Sequence, residues 1–205
     1  MKRKMTVRIP QRISKAALKN NSVLIGEEID YLHSFIFGIY VKTGSDNEPV
    51  QHNGISHIVE HLLFKGTKKR KAFHIFSRLE DVGGEINAYT TKEDTCIYAS
   101  FLKNDYERAM ELIQDICLHS IFPQKEIEKE KYVIIDEILS YMDSPYELIF
   151  DEFEEQVFNN HAIGRSILGT EQNLLAFTRA NIFRFITENY STEEMVLSSV
   201  GDIPF

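Results

Sequence analysis

His57-Ile58-Val59-Glu60-His61 is the stretch that most constrains this chain. It sets two imidazoles and a carboxylate at i, i+3 and i+4, which share one face of any helix that contains them. Two neutral imidazoles one turn apart can hold a divalent metal, and the carboxylate beside them can act on a water held there. The Glu precedes the second His instead of following the first, so the order is the inverted H-x-x-E-H. A surface helix that carries two of the chain's 7 His and a Glu by chance is the competing reading. A catalytic zinc usually takes three protein ligands and leaves a position open for water. The five residues supply two.

A third candidate comes from a second predicted helix. Residues 126–142 carry apolar side chains at Ile127, Val133, Ile134, Ile138 and Leu139, spaced for a long amphipathic helix that Pro123 introduces near its first turn. Glu130 and Glu137 lie two turns apart and face the same way. Glu137 falls among Ile134, Ile135, Ile138 and Leu139, on the flank of the apolar stripe, where a carboxylate wants a partner. Periodicity alone leaves it either a metal ligand or an ordinary salt-bridged Glu.

The remaining pattern gives an α+β organisation. Strands are predicted at Ser22–Glu28 and His33–Lys42, joined as a hairpin by a turn holding Glu27, Glu28 and Asp30. Asn53 is the expected cap of the metal helix, which should run to about Phe64 and stop before Gly66. A helix from Ala72 to Asp81 should close at Gly83-Gly84, followed by strands Glu85–Thr91 and Thr95–Lys103. Further helices are expected at 104–119, 124–142, 145–157 and 178–189, and a last strand at Met195–Val200. Strand pairs separated by helical blocks imply a mainly antiparallel sheet packed on one side by helices, in one domain spanning 1–205. The basic run Lys65 to Lys71 reads as a solvated loop, and Phe150, Phe153 and Phe158 as core. His33, His52, His74, His119 and His161 have no ligand-spaced partner.

Composition narrows the function classes. At 43% hydrophobic, 205 residues can bury one substantial core. A net charge of −8 argues against a nucleic-acid partner, whose phosphates it would repel. No apolar run long enough to span a membrane is present, and no apolar segment follows the basic N-terminus MKRKMTVRIPQR as a signal peptide requires. Cys96 and Cys117 fall within a predicted strand and helix and read as buried free thiols.

Several blocks together resemble one family. GSDNEPVQHNGISHIVEHLLFKGTKKR (residues 44–70) is similar to the G-x-x-H-x-x-E-H-x-x-F-K-G-T block of the pitrilysin/insulinase zinc metallopeptidases. LEDVGGEINAYTTKEDTCIYA (residues 79–99) resembles their G-G-x-x-N-A-x-T strand pair, and HAIGRSILGT and YSTEEMVLSSVGD resemble later landmarks. The flavour is that of the mitochondrial processing peptidase β branch and its bacterial relatives.

The resemblance implies a zinc endopeptidase acting on unfolded peptides or small proteins. One Zn²⁺ per chain would be held by His57, His61 and Glu137, the last lying 76 residues beyond His61 as the family's third ligand does. Glu60 would be the general base, and Glu130, one heptad before Glu137, would orient a ligand from behind. Asn87 and Ala88 would begin an edge strand that binds substrate; without the family match they are a plain strand start. The same donors also accept Co²⁺ or Mn²⁺.

Family members pair two related domains as a clamshell around the peptide. This chain matches the first and reads as stopping just short of its end, although a natural half-size subunit is the alternative. Its expected partners are a peptide and a C-terminal half or homologous subunit, and alone it should be inactive or weakly active. The family also contains non-catalytic subunits that bind peptides or partners, and these usually lose part of the H-x-x-E-H set, which this chain keeps. The expected compartment is the bacterial cytoplasm.

Overall fold

A computed structural model of the chain describes residues 13–203. Its six strands are β1 (Ile13–Ala17), β2 (Val23–Glu28), β3 (Ser34–Val41), β4 (Glu85–Thr90), β5 (Thr95–Leu102) and β6 (Met195–Gly201). They form one sheet in the order β1-β2-β6-β3-β5-β4, antiparallel throughout except for the β2–β6 pair. The described residues also form seven α-helices: α1 (Ile55–Leu63), α2 (Ala72–Glu80), α3 (Tyr106–His119), α4 (Gln124–Met142), α5 (Pro145–Val157), α6 (Glu171–Ala176) and α7 (Arg179–Asn189). This is the α+β architecture the sequence predicts.

Alternation along the strands builds the core. Phe35, Phe37, Ile39 and Val41 of β3, with Ile97, Ala99 and Phe101 of β5, are buried at every second position. They meet the apolar sides of α1, α2 and α3 through Ile58, Leu62, Ile75, Leu79, Leu112 and Ile116. β4 ends the sheet, and α1 packs against it and against α4.

Several expectations are corrected. β2 and β3 are not a hairpin: β6 lies between them, pairing Val23 with Val196 and Ile39 with Leu197. A chain-distant strand with two apolar-lined neighbours outcompetes the local turn. β1 and the short α6 were not anticipated.

Asn53 does not cap α1. Gly54 occupies the cap position in a left-handed conformation (φ 96°), and the buried carboxylate of Glu48 takes the orphan amides instead. Its Oε2 accepts from Gly54 N–H (2.8 Å) and its Oε1 from Ser56 N–H (2.7 Å), while the Asn53 amide itself donates to Glu48 (3.0 Å). A carboxylate at a helix N-terminus also meets the positive end of the helix dipole.

The basic run is not a free loop, because the buried Asp115 of α3 needs a countercharge. Arg70 pairs with Asp115 and Glu111, and Thr67 donates to Asp115 at 2.7 Å. Phe150, Phe153 and Phe158 are exposed and not core. Cys96 and Cys117 are free thiols, as expected, but only Cys96 is buried and Cys117 is partly exposed.

Candidate metal centre

α1 carries the motif into the corner between α4 and the edge strand β4. Seven of its nine residues are buried, His57 among them, so the helix has no freedom to turn its polar stripe elsewhere. The ring centroids of His57 and His61 lie 4.6 Å apart at 68°, an edge-on pair that leaves both Nε2 atoms pointing toward α4. There the Oε2 of Glu137 lies 3.8 Å from His57 Nε2 and 3.7 Å from His61 Nε2.

These separations are too long for hydrogen bonds but suit a shared ion. Donors about 2.0–2.1 Å from a tetrahedral zinc lie roughly 3.3 Å from one another. The three donor atoms all fall within 4.8 Å of one another, and among the described residues this is the cluster with metal-holding geometry. Burial, followed by the neighbouring His61, holds the His57 imidazole down to about pKa 3, so it stays neutral with a lone pair to give. The donor set therefore fits a divalent cation on this structure's own geometry.

Glu137 differs from the sequence expectation in one respect. Its side chain is 44% exposed and reaches solvent, so burial on the apolar flank does not by itself demand a partner. The buried acid of α4 is Glu130, at 4% exposure. Glu130 Oε2 lies 3.2 Å from His61 Nδ1, and its Oε1 lies 2.8 Å from Lys65 Nζ. An Nδ1–H donated to Glu130 would set the tautomer in which His61 Nε2 keeps its lone pair facing Glu137.

Glu60 stands beside the donors without joining them. It is half-buried, and its Oε2 accepts a 2.7 Å hydrogen bond from the Thr90 hydroxyl at the end of β4. Burial raises its carboxyl pKa, against the pull of that hydrogen bond and of His61. Of the two strand residues, Ala88 lines the cleft of about 290 Å³ that also contains His57, Glu60, Thr90 and Glu137. Asn87 points away on the exposed face, and its Oδ1 takes the Ala88 N–H at 2.9 Å. A roomier hollow of about 500 Å³ between α3 and the sheet is lined mainly by apolar groups such as Phe37, Ile39 and Met110, and lacks converging metal donors.

Sequence reasoning missed Thr90 and Lys65. Thr90 follows the Asn-Ala-Tyr run, but nothing in a one-dimensional pattern links it to a glutamate 30 residues earlier. Lys65 lies in the turn just past the end of α1, where helical spacing gives no signal.

Comparison with known proteins shows the family. The family model described as "Insulinase (Peptidase family M16)" matches residues 26–171. "Uncharacterized zinc protease YmxG" of Bacillus subtilis (strain 168) is 34% identical over 191 residues, spanning 93% of this chain and 47% of the relative. The β subunit of the mitochondrial-processing peptidase of Saccharomyces cerevisiae is 37% identical over 187 residues, spanning 91% and 40%. The chain thus spans about half the length of the curated relatives it matches. The crystal structure of a protease from Helicobacter pylori shares the fold, with a TM-score of 0.90 at 22% identity over 95% of this chain and 47% of that one. Among the described residues no helix is long and apolar enough to cross a membrane.

Proposed function

The chain belongs to the insulinase family, peptidase family M16, and from that premise we propose that it is the metal-binding half of a zinc-dependent endopeptidase. The observation that carries the reading is the convergence of His57 Nε2, His61 Nε2 and the Glu137 carboxylate within 4.8 Å. These three residues would hold one Zn²⁺. When bound, the ion supplies Lewis-acid polarisation and a water acidified to a pKa of about 7.

The chain's own residues do the rest. Glu60 is the general base. With Oε2 held by Thr90, Oε1 takes the proton of the attacking water and later passes it to the leaving amine. Glu130 orients His61 through Nδ1. Asn87 and Ala88 lie on β4, the edge strand of the sheet among the described residues, to which an extended peptide adds as a further strand. That addition requires Asn87 Oδ1 to release the Ala88 N–H it now holds.

We propose further that a facing unit, either the remaining half of a longer protein or a homologous subunit, encloses the peptide. The support is the 40–47% of the curated relatives' length that this chain spans. Alone, residues 1–205 would then cleave unfolded peptides slowly or not at all, because a missing electrostatic donor alone typically costs about 10²–10³ in rate.

The test pairs a peptidase assay with metal analysis. In the enclosed protein, chelation should abolish cleavage and zinc restore it. Glu60→Gln should keep its metal while its rate falls by about 10²–10⁴. Metal loss in Glu60→Gln equal to that of a His variant would overturn the division of roles, and full turnover by the chain alone would overturn the need for a facing unit.

A further inference from the structure

Glu130 receives two groups from the end of α1. His61 reaches its Oε2 through Nδ1 at 3.2 Å, and Lys65 reaches its Oε1 through Nζ at 2.8 Å. His61 lies in the last turn of α1 and Lys65 in the turn just past its end, and a single carboxylate on α4 spans both. The carboxylate is buried, while the Lys65 side chain is 28% exposed and enters from the protein's rim.

A carboxylate on a glutamate side chain turns in a broad, two-fold torsional well, so one hydrogen bond does not fix its plane. A charge-assisted bond at Oε1 does, and it leaves Oε2 aimed at the imidazole. The same bond ties the C-terminal end of α1 to the buried half of α4. Two turns further along that helix stands Glu137, which must stay within reach of the two imidazoles.

We infer that Lys65 is a positioning residue of the metal centre: through Glu130 it fixes the ring of His61 and the spacing of α1 from α4. The inference rests on the zinc-binding reading above. It assigns Lys65 a role other than that of a solvated loop residue, and it separates Lys65 from Lys68, Lys69 and Lys71, none of which reaches Glu130 among the described contacts.

The experiment is a zinc-affinity measurement by competition with a chromophoric chelator on the whole chain. The proteins are the wild type, Lys65→Met, Lys65→Arg, Glu130→Gln and the Lys65→Met/Glu130→Gln double variant. Thermal unfolding of each metal-free form is followed in parallel. Lys65→Met should weaken zinc binding about 10- to 100-fold, as loss of an outer partner of a ligand does. Lys65→Arg should recover most of it. In the Glu130→Gln background Lys65→Met should add little, because its route to His61 is already cut.

Wild-type affinity in Lys65→Met, or full additivity in the double variant, would overturn the inference. If Lys65→Met fails to fold, Lys65→Arg decides: it must bind zinc within a few-fold of wild type, and a large loss there is contrary. Failure of the wild type itself to bind zinc would overturn the metal reading, and this inference with it.

Discussion

The metal corner and α5 border the same cleft but are held in opposite ways. Around the metal corner, each carboxylate that supports the site is buried and multiply bonded: Glu48 under the start of α1, and Glu130 between α1 and α4. The first half of α4 is anchored by Ile127, Glu130, Lys131 and Ile134. α5 buries no residue at all. Its Tyr146 and Phe153 are 78% and 65% exposed, and it is tied down by Lys92, whose Nζ lies 3.1 Å from Glu154 and 3.9 Å from Asp151. The difference teaches where precision sits. Donor atoms that must meet within ångströms ride on elements locked by the core, while the neighbouring α5 hangs on a few polar links.

The sharpest way to break this comparison is to cut both regions by the same chemistry. Ile134→Ala, in the anchored half of α4, should cost about 2–5 kcal/mol of unfolding free energy. Phe153→Ala in α5 should stay within about 0.5 kcal/mol of wild type. Denaturant titration measures both, and a large loss in Phe153→Ala would show that α5 is core after all.

Next in size is the ligand itself. His57→Ala should weaken zinc binding at least ~100-fold, about 2.7 kcal/mol, whereas Phe150→Ala should leave the affinity unchanged. Calorimetric titration distinguishes them.

A smaller effect comes from Asp115, which anchors the loop beyond α1. Burial alone would raise its carboxyl, but hydrogen bonds from Thr67 and Arg70 outweigh burial and hold it below the ordinary carboxylate range. A folded value below the unfolded one adds stability that is whole above the unfolded value, about pH 4, and disappears as pH falls through the folded value. Asp115→Asn should therefore cost about 2 kcal/mol at pH 7, and the gap from wild type should shrink on acidification below about pH 4. A gap that widens in acid would contradict the assignment.

The smallest effect is the most diagnostic for α5. Lys92→Met should change global stability by under about 1 kcal/mol yet speed amide exchange across α5 while leaving α1 protected. Equal acceleration in both helices would dissolve the contrast.

Much of the site was legible in the chain because its signals are local. The i, i+3, i+4 spacing set His57, Glu60 and His61 on one face, and heptad spacing aligned Glu130 with Glu137. Periodicity could not tell which of the two glutamates is buried, since that depends on how far along α4 the other helices reach. The same limit hid the exposure of α5, whose span the sequence predicts: an apolar stripe at helical spacing says that a face exists and not that the chain covers it.

Contacts between distant segments were illegible for a different reason. β6 inserts between β2 and β3, Thr90 reaches Glu60, and Glu48 substitutes for Asn53 at the start of α1. Each of these is decided by which surfaces meet in three dimensions, and a local turn or cap motif competes with them unseen.

The central claim is that three side chains from two helices converge on one divalent ion. Anomalous diffraction at the zinc edge, on crystals of this chain grown with one equivalent of zinc, tests it directly. The account predicts a single strong peak about 2.0–2.2 Å from His57 Nε2, His61 Nε2 and a Glu137 carboxylate oxygen, with Glu60 outside bonding distance. A peak that includes Glu60 in place of Glu137, or zinc bound elsewhere with this corner empty, would contradict it.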